Sequence, residues 1–177
     1  MAMPKRSPVE KLLTPTQAVQ FAQTAAQDFT ESRLKVSLHL ATANAPTLVQ
    51  RIDRTDSYYF IVPFNIASRE TARFIVDGFA GKLKQASGVY KEGLSFEPYV
   101  SQPEALDRLI AAQSASKLKW EFVFRRELIG QHPVLVWRPC RQSPSPFLPF
   151  YQFSAGSSLV YLRIDGQLFG RLTTGPV

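Results

Sequence analysis

The feature that most constrains this chain is that it echoes itself. Thr14-Pro15-Thr16-Gln17 and Ser101-Gln102-Pro103-Glu104 lie 87 residues apart, and each has the form of a capping box. The Ser or Thr hydroxyl accepts from the amide three residues on, while Gln or Glu reaches back to the cap amide. A proline in the first turn gives up only an amide with no intrahelical partner. Behind the first cap, Ala18, Ala22, Ala25 and Phe29 share a face, and behind the second Ala105, Leu109 and Ala112 do. Each spacing predicts a short amphipathic helix.

A run of strict alternation follows each helix. Leu34, Val36, Leu38 and Leu40 alternate with Arg33, Lys35, Ser37 and His39; Leu118, Trp120, Phe122 and Phe124 alternate with Lys117, Lys119, Glu121, Val123 and Arg125. Period two with one polar face predicts an antiparallel sheet packed on one side, and the helix is the natural cover for its apolar face. The correspondence continues. Leu48-Val49-Gln50-Arg51 matches Leu135-Val136-Trp137-Arg138, Arg54 matches Arg141, and Pro63-Phe64 matches Pro149-Phe150. Asp77-Gly78 then matches Asp165-Gly166, and Gly81-Lys82-Leu83 matches Gly170-Arg171-Leu172. Offsets drift between 86 and 89, in expected loops, where insertions are tolerated.

The expected fold is therefore α+β: a tandem duplication of a helix followed by a four-stranded antiparallel sheet, with the helices packed on one sheet face. Strands are expected near 33–41, 46–52, 57–64 and 72–77, and again near 117–127, 133–138, 147–153 and 159–165. Residues 1–13 read as an extension, 14–90 as the first repeat and 91–177 as the second. Asp-Gly between two such runs predicts a tight hairpin turn.

An aromatic run ending in Pro-Phe, then apolar residues leading into Asp, a turn and Gly-basic-apolar, resembles PepSY domains. Tyr58 to Phe64 with Ile75 to Leu83 carry the likeness, as do Phe147 to Phe150 with Leu162 to Leu172. The likeness covers the last third of each repeat. It implies a non-enzymatic binding or inhibitory role towards peptides or proteins, and it brings no catalytic residue with it.

Composition narrows the classes further. A 45% hydrophobic content with 12% aromatics supplies a packed core. No apolar run approaches the roughly 18 residues of a membrane span. Basic Lys5, Arg6 and Lys11 have no apolar stretch behind them, so no secretory signal is read and a cytoplasmic location is expected. One cysteine, Cys140, excludes an internal disulfide framework. The net charge of +7 is spread through both halves, whereas a nucleic-acid binder tends to gather it.

Candidate chemistry is sparse. His39 and His132 are the only histidines, and neither has Cys or carboxylate partners at ligand spacing, so no metal or cofactor is expected. Cys140 lies between arginines, which favour a thiolate, but without a nearby histidine the simpler reading is structural. Asp77 and Asp165 are repeat-equivalent and would form a carboxylate pair if they met; turn formation explains them more simply. Ser154 to Ser158 lacks the elbow of a nucleophilic serine. Pro146-Phe147-Leu148-Pro149 has PxxP spacing, yet its apolar side chains suit burial. The candidate binding face is basic: Arg33, Lys35, Lys117, Lys119, Arg125 and Arg126. The expectation is a protein that is not an enzyme and recognises a protein or peptide. The alternatives are nucleic-acid binding through that face and small-molecule binding in a helix–sheet pocket.

Overall fold

The protein is described by a computed structural model over residues 11–28, 38, 40–88, 99–115, 133–155 and 158–174. Helix α1 (Pro15–Asp28) begins as its sequence dictates: the Thr14 N–H donates to Gln17 Oε1 at 2.9 Å, and the Gln17 N–H donates to Thr14 Oγ1 at 3.2 Å. Its buried stripe is Ala18, Ala22 and Ala26. Such small side chains let the helix axis lie close to the sheet, where Phe60, Val62, Phe64 and Phe74 fill the space between. Phe21 lies over Gly81, whose φ of +65° and close approach to the ring both demand glycine. Helix α2 (Gln102–Ala115) buries Ala105 and Leu109 against Tyr151, Phe153, Val160 and Leu162. Each such aromatic or aliphatic side chain contributes about 1.5–3 kcal/mol through burial.

The strands are β1 (Thr42–Ala43), β2 (Thr47–Arg51), β3 (Ser57–Ile66), β4 (Arg69–Asp77), β5 (Leu83–Gly88), β6 (Val134–Trp137), β7 (Phe150–Ala155), β8 (Ser158–Arg163) and β9 (Leu168–Phe169). They form one nine-stranded sheet in the order β5-β4-β3-β2-β6-β7-β8-β9, with β1 paired to β3 beside β2. Every pair is antiparallel except the central one, β2 with β6. There Gln50 lies level with Val136 and Arg51 with Trp137, and the Ile52 N–H donates to the Trp137 carbonyl at 3.0 Å.

That parallel seam decides where the helices go. Tyr58, Gln50, Val136 and Phe150 lie level across four strands and so project from the same face. Phe60, two residues from Tyr58, meets α1; Tyr151, one residue from Phe150, meets α2. The helices therefore cover opposite faces. The other side of β3 and β4 carries Tyr59, Ile61 and Ile75, which cluster with Trp137 of β6 and with Phe147. Covered on both faces, β3 buries Tyr59, Phe60, Ile61 and Val62 in succession.

These findings overturn the expected arrangement. Instead of two units of a helix and a four-stranded antiparallel sheet, with helices on one face, the described residues form two helices and a single mixed sheet. The matched Pro-Phe pairs are not equivalent either, since Pro63 lies inside β3 whereas Pro149 precedes β7. The expected strands at 33–41 and 117–127 fall outside the described residues, apart from Leu38, Leu40 and Ala41. Among the described residues, no helix is long and apolar enough to cross a membrane.

The Asp-Gly turns also differ from expectation. Residues 164–166 form a three-residue loop, with the Arg163 N–H on the Gln167 carbonyl at 2.8 Å and Gly166 alone at positive φ (+92°). A two-residue turn with positive φ at both positions occurs instead at Ala67-Ser68 (φ +48° and +65°), between paired Ile66 and Arg69. Neither residue suits that conformation, for which Asn-Gly is the preferred pair. Replacing Ala67→Asn together with Ser68→Gly should raise the unfolding free energy by about 1 kcal/mol, read from urea denaturation midpoints at unchanged slope. No gain would mean that this turn is not held with both residues left-handed.

Candidate binding pocket

The seam also builds a pocket, of about 290 Å³, at the end of the sheet where β2 turns into β3. Its floor is aromatic. Tyr59 and Trp137 meet edge to face at 6.3 Å between ring centroids, and both have their polar atoms engaged. The Tyr59 hydroxyl donates to the Pro146 carbonyl at 2.7 Å, and Trp137 Nε1–H donates to Ser143 Oγ at 3.2 Å. Burial pushes the Tyr59 hydroxyl well above the ordinary phenol range, so it remains a donor throughout the working pH range. Those acceptors belong to residues 138–149, a proline-rich strap laid across the sheet. The strap is fixed by the Tyr99 hydroxyl on the Phe147 carbonyl (2.6 Å), by Arg138 Nη2 on the Leu172 carbonyl (2.5 Å) and by Gln142 Oε1, which accepts the Thr173 N–H (3.0 Å).

The walls are charged. Arg51 lies 5.0 Å from the Trp137 ring centroid, and its fork is engaged by Asp53, with Nε–Oδ1 at 3.0 Å and Nη2–Oδ2 at 2.6 Å. Arg54 is two-thirds exposed, and it approaches Asp53 only at 3.8 Å. Across the pocket, Lys84 on β5 meets Asp77 Oδ2 at 3.2 Å. The Asp77 carboxylate also accepts the Phe79 N–H (3.0 Å) and the Ala80 N–H (2.8 Å), which shape the β4–β5 turn. Burial alone would raise the Asp77 pKa, but the two backbone donors and Lys84 outweigh it and hold the carboxyl below its ordinary value. Asp53 is likewise held low, because hydrogen bonds and charge from Arg51 exceed the effect of its burial. Both carboxylates are thus ionised and spoken for.

The residues singled out from sequence are placed as follows. Arg33, Lys35, Lys117, Lys119, Arg125 and Arg126 lie outside the described residues, as do His39 and His132. Cys140 is wholly buried in the strap, its Sγ 3.9 Å from the Ser143 carbonyl. Asp77 and Asp165 do not meet, for strands β3, β2, β6 and β7 separate their hairpins. Asp165 instead pairs with Arg163 at 2.6 Å. Phe147 is buried, as the apolar reading of Pro146 to Pro149 expected. Among the described residues, no group of three His, Cys, Asp or Glu side chains is placed to hold a metal ion. The sequence offers no sign that Arg51, Arg54, Tyr59, Lys84 and Trp137 form a site: Arg51, Arg54 and Trp137 stand out only as repeat positions and Tyr59 only within an aromatic run, and no local pattern announces that Trp137 lies beside Arg51.

Comparison with protein-family models, with curated proteins and with solved structures found no match.

Because the Asp77 pKa is depressed in the folded state, its contribution is present above the unfolded value of 3.8 and disappears as pH falls through the lower folded value. Asp77→Asn should therefore destabilise the protein by about 1 kcal/mol at pH 7, with the difference from the parent shrinking below pH 3.8. Guanidinium titrations at pH 7 and pH 2.5 check both halves of this. A deficit that persists unchanged at the lower pH would contradict an ionised Asp77.

Proposed function

We propose that the protein is a non-enzymatic binding module that takes an extended peptide, or an extended segment of a protein, along β5 with one side chain in the pocket. The observation that supports this reading is the position of the pocket beside a sheet edge. Among the described residues, β5 pairs only with β4 and ends the strand order, and its Lys84 and Gln85 line the pocket. A sheet edge offers a row of backbone donors and acceptors, and strand addition gives main-chain affinity while pockets for alternate side chains give selectivity. The volume suits a single side chain and is at the lower limit for small-molecule sites.

The chemistry of the walls supports binding over turnover. A general acid or base works best with a pKa near the operating pH, whereas the carboxylates here are held low by ion pairs and hydrogen bonds. The resemblance to PepSY domains points towards the same class of partner.

The test is a random peptide-display selection against the full chain, followed by hydrogen exchange of the best binder's complex. Enriched extended sequences should slow exchange of the β5 amides. They should bind at least tenfold more weakly to Ser57→Phe, which fills the pocket from its rim. A selection that enriches nothing, or peptides indifferent to that substitution, would overturn the reading.

A further inference from the structure

We infer that the side chain this pocket selects is acidic, a glutamate or aspartate carried on the extended segment; the inference rests on the peptide reading above. It follows from an account of which polar groups around the pocket retain capacity. The floor has none to offer, because the Tyr59 hydroxyl and Trp137 Nε1–H are committed to Pro146 and Ser143. What faces the ligand there is apolar ring surface, suited to the methylenes of a side chain rather than to its polar end.

The two carboxylates beside the pocket are also committed. Asp77 takes two backbone N–H groups and Lys84, and Asp53 takes both arms of the Arg51 fork. A cationic side chain would have to compete with the cations these carboxylates already face, Lys84 at Asp77 and Arg51 and Arg54 at Asp53. The donors are different. An ammonium has three N–H groups and a guanidinium five, and the carboxylate contacts of Lys84 and Arg54 are one at 3.2 Å and one at 3.8 Å. Side chains of both are more than half exposed, at 55% and 67%. A carboxylate on a short apolar stem therefore meets ring surface below and unspent cationic donors at the rim. Arg51, held by Asp53 and 5.0 Å from the Trp137 ring centroid, adds a third positive charge to the wall.

The experiment uses the full chain and fluorescein-labelled, end-blocked, threonine-rich octapeptides carrying Glu, Gln or Lys at one central position. Fluorescence anisotropy at low salt should give at least tenfold tighter binding of the Glu peptide than of the Gln peptide, with the preference weakening as salt is added. The paired substitution Arg54→Gln with Lys84→Gln should abolish this preference, so that the Glu and Gln peptides bind equally. An unchanged urea denaturation midpoint of Arg54→Gln alone, together with a reduced preference in that variant, shows that the fold survives. Arg54→Glu should turn the preference towards Lys. Equal binding of Glu and Gln peptides would overturn acidic selection and leave the peptide reading standing. Failure of all three peptides to bind would overturn both. Displacement of the Glu peptide by a single-stranded oligonucleotide, lost in the same Arg54 and Lys84 variant, would assign the donors to phosphate instead and overturn the inference.

Discussion

Two register pairs between β2 and β6 hold this molecule in its form. Without them, β2 through β5 and β6 through β9 would each be a four-stranded antiparallel arrangement with its own edge exposed. Pairing those edges in parallel removes both. It also fixes the relative sense of the halves, because side chains level with one another in a ladder project from the same face. With Gln50 beside Val136, the α1-covered row of the first half runs into the row of the second half that α2 does not cover. Helices on opposite faces are thus a consequence of strand direction at one seam.

The strap follows from the same constraint. The α2-side face of β3 and β4 presents Tyr59, Ile61 and Ile75, which need cover that α1 cannot give. Residues 138–149 leave β6 at that seam and lie across this surface. Their carbonyls accept the Tyr59 and Tyr99 hydroxyls, and their four prolines (139, 144, 146 and 149) limit the freedom of the unfolded segment. Arg73, buried to 4% exposure between Glu70 and the Tyr99 ring (3.8 Å from the centroid), holds the approach to α2 against the first half of the sheet. A buried arginine is tolerable there because a carboxylate and an aromatic face both compensate its charge.

What was legible in the sequence was local. The Thr14 cap, the strand near 46–52 and the aromatic run of β3 each depend on residues close in the chain, and α1, β2 and β3 lie near where those patterns put them. The assembly depends on Arg51 meeting Trp137, residues far apart in sequence, and nothing in either segment encodes a parallel register. Expecting one polar sheet face failed for a related reason: β3 reads Tyr-Tyr-Phe-Ile-Val, a continuous apolar run rather than an alternating one, and such runs mark strands covered on both sides. The turns failed through chemistry that competes with the rule used. Asp77 spends its carboxylate on the amides of Phe79 and Ala80, which stabilises a longer loop than a two-residue turn. The pocket was invisible for the same reason as the seam, since its floor comes from β3 and β6 and its walls from β2, β4 and β5.

The parallel seam is therefore the claim on which the helix placement, the strap and the pocket all stand, and nuclear Overhauser spectroscopy of the full chain addresses it most directly. The Ile52 amide proton, which donates to the Trp137 carbonyl at 3.0 Å, should show strong contacts to backbone protons of Trp137 and Arg138. Its exchange with solvent should be slow, and the Arg51 side chain should show contacts to the Trp137 ring. A freely exchanging Ile52 amide, or contacts that pair residues 47–51 with 134–137 in antiparallel order, would contradict the account.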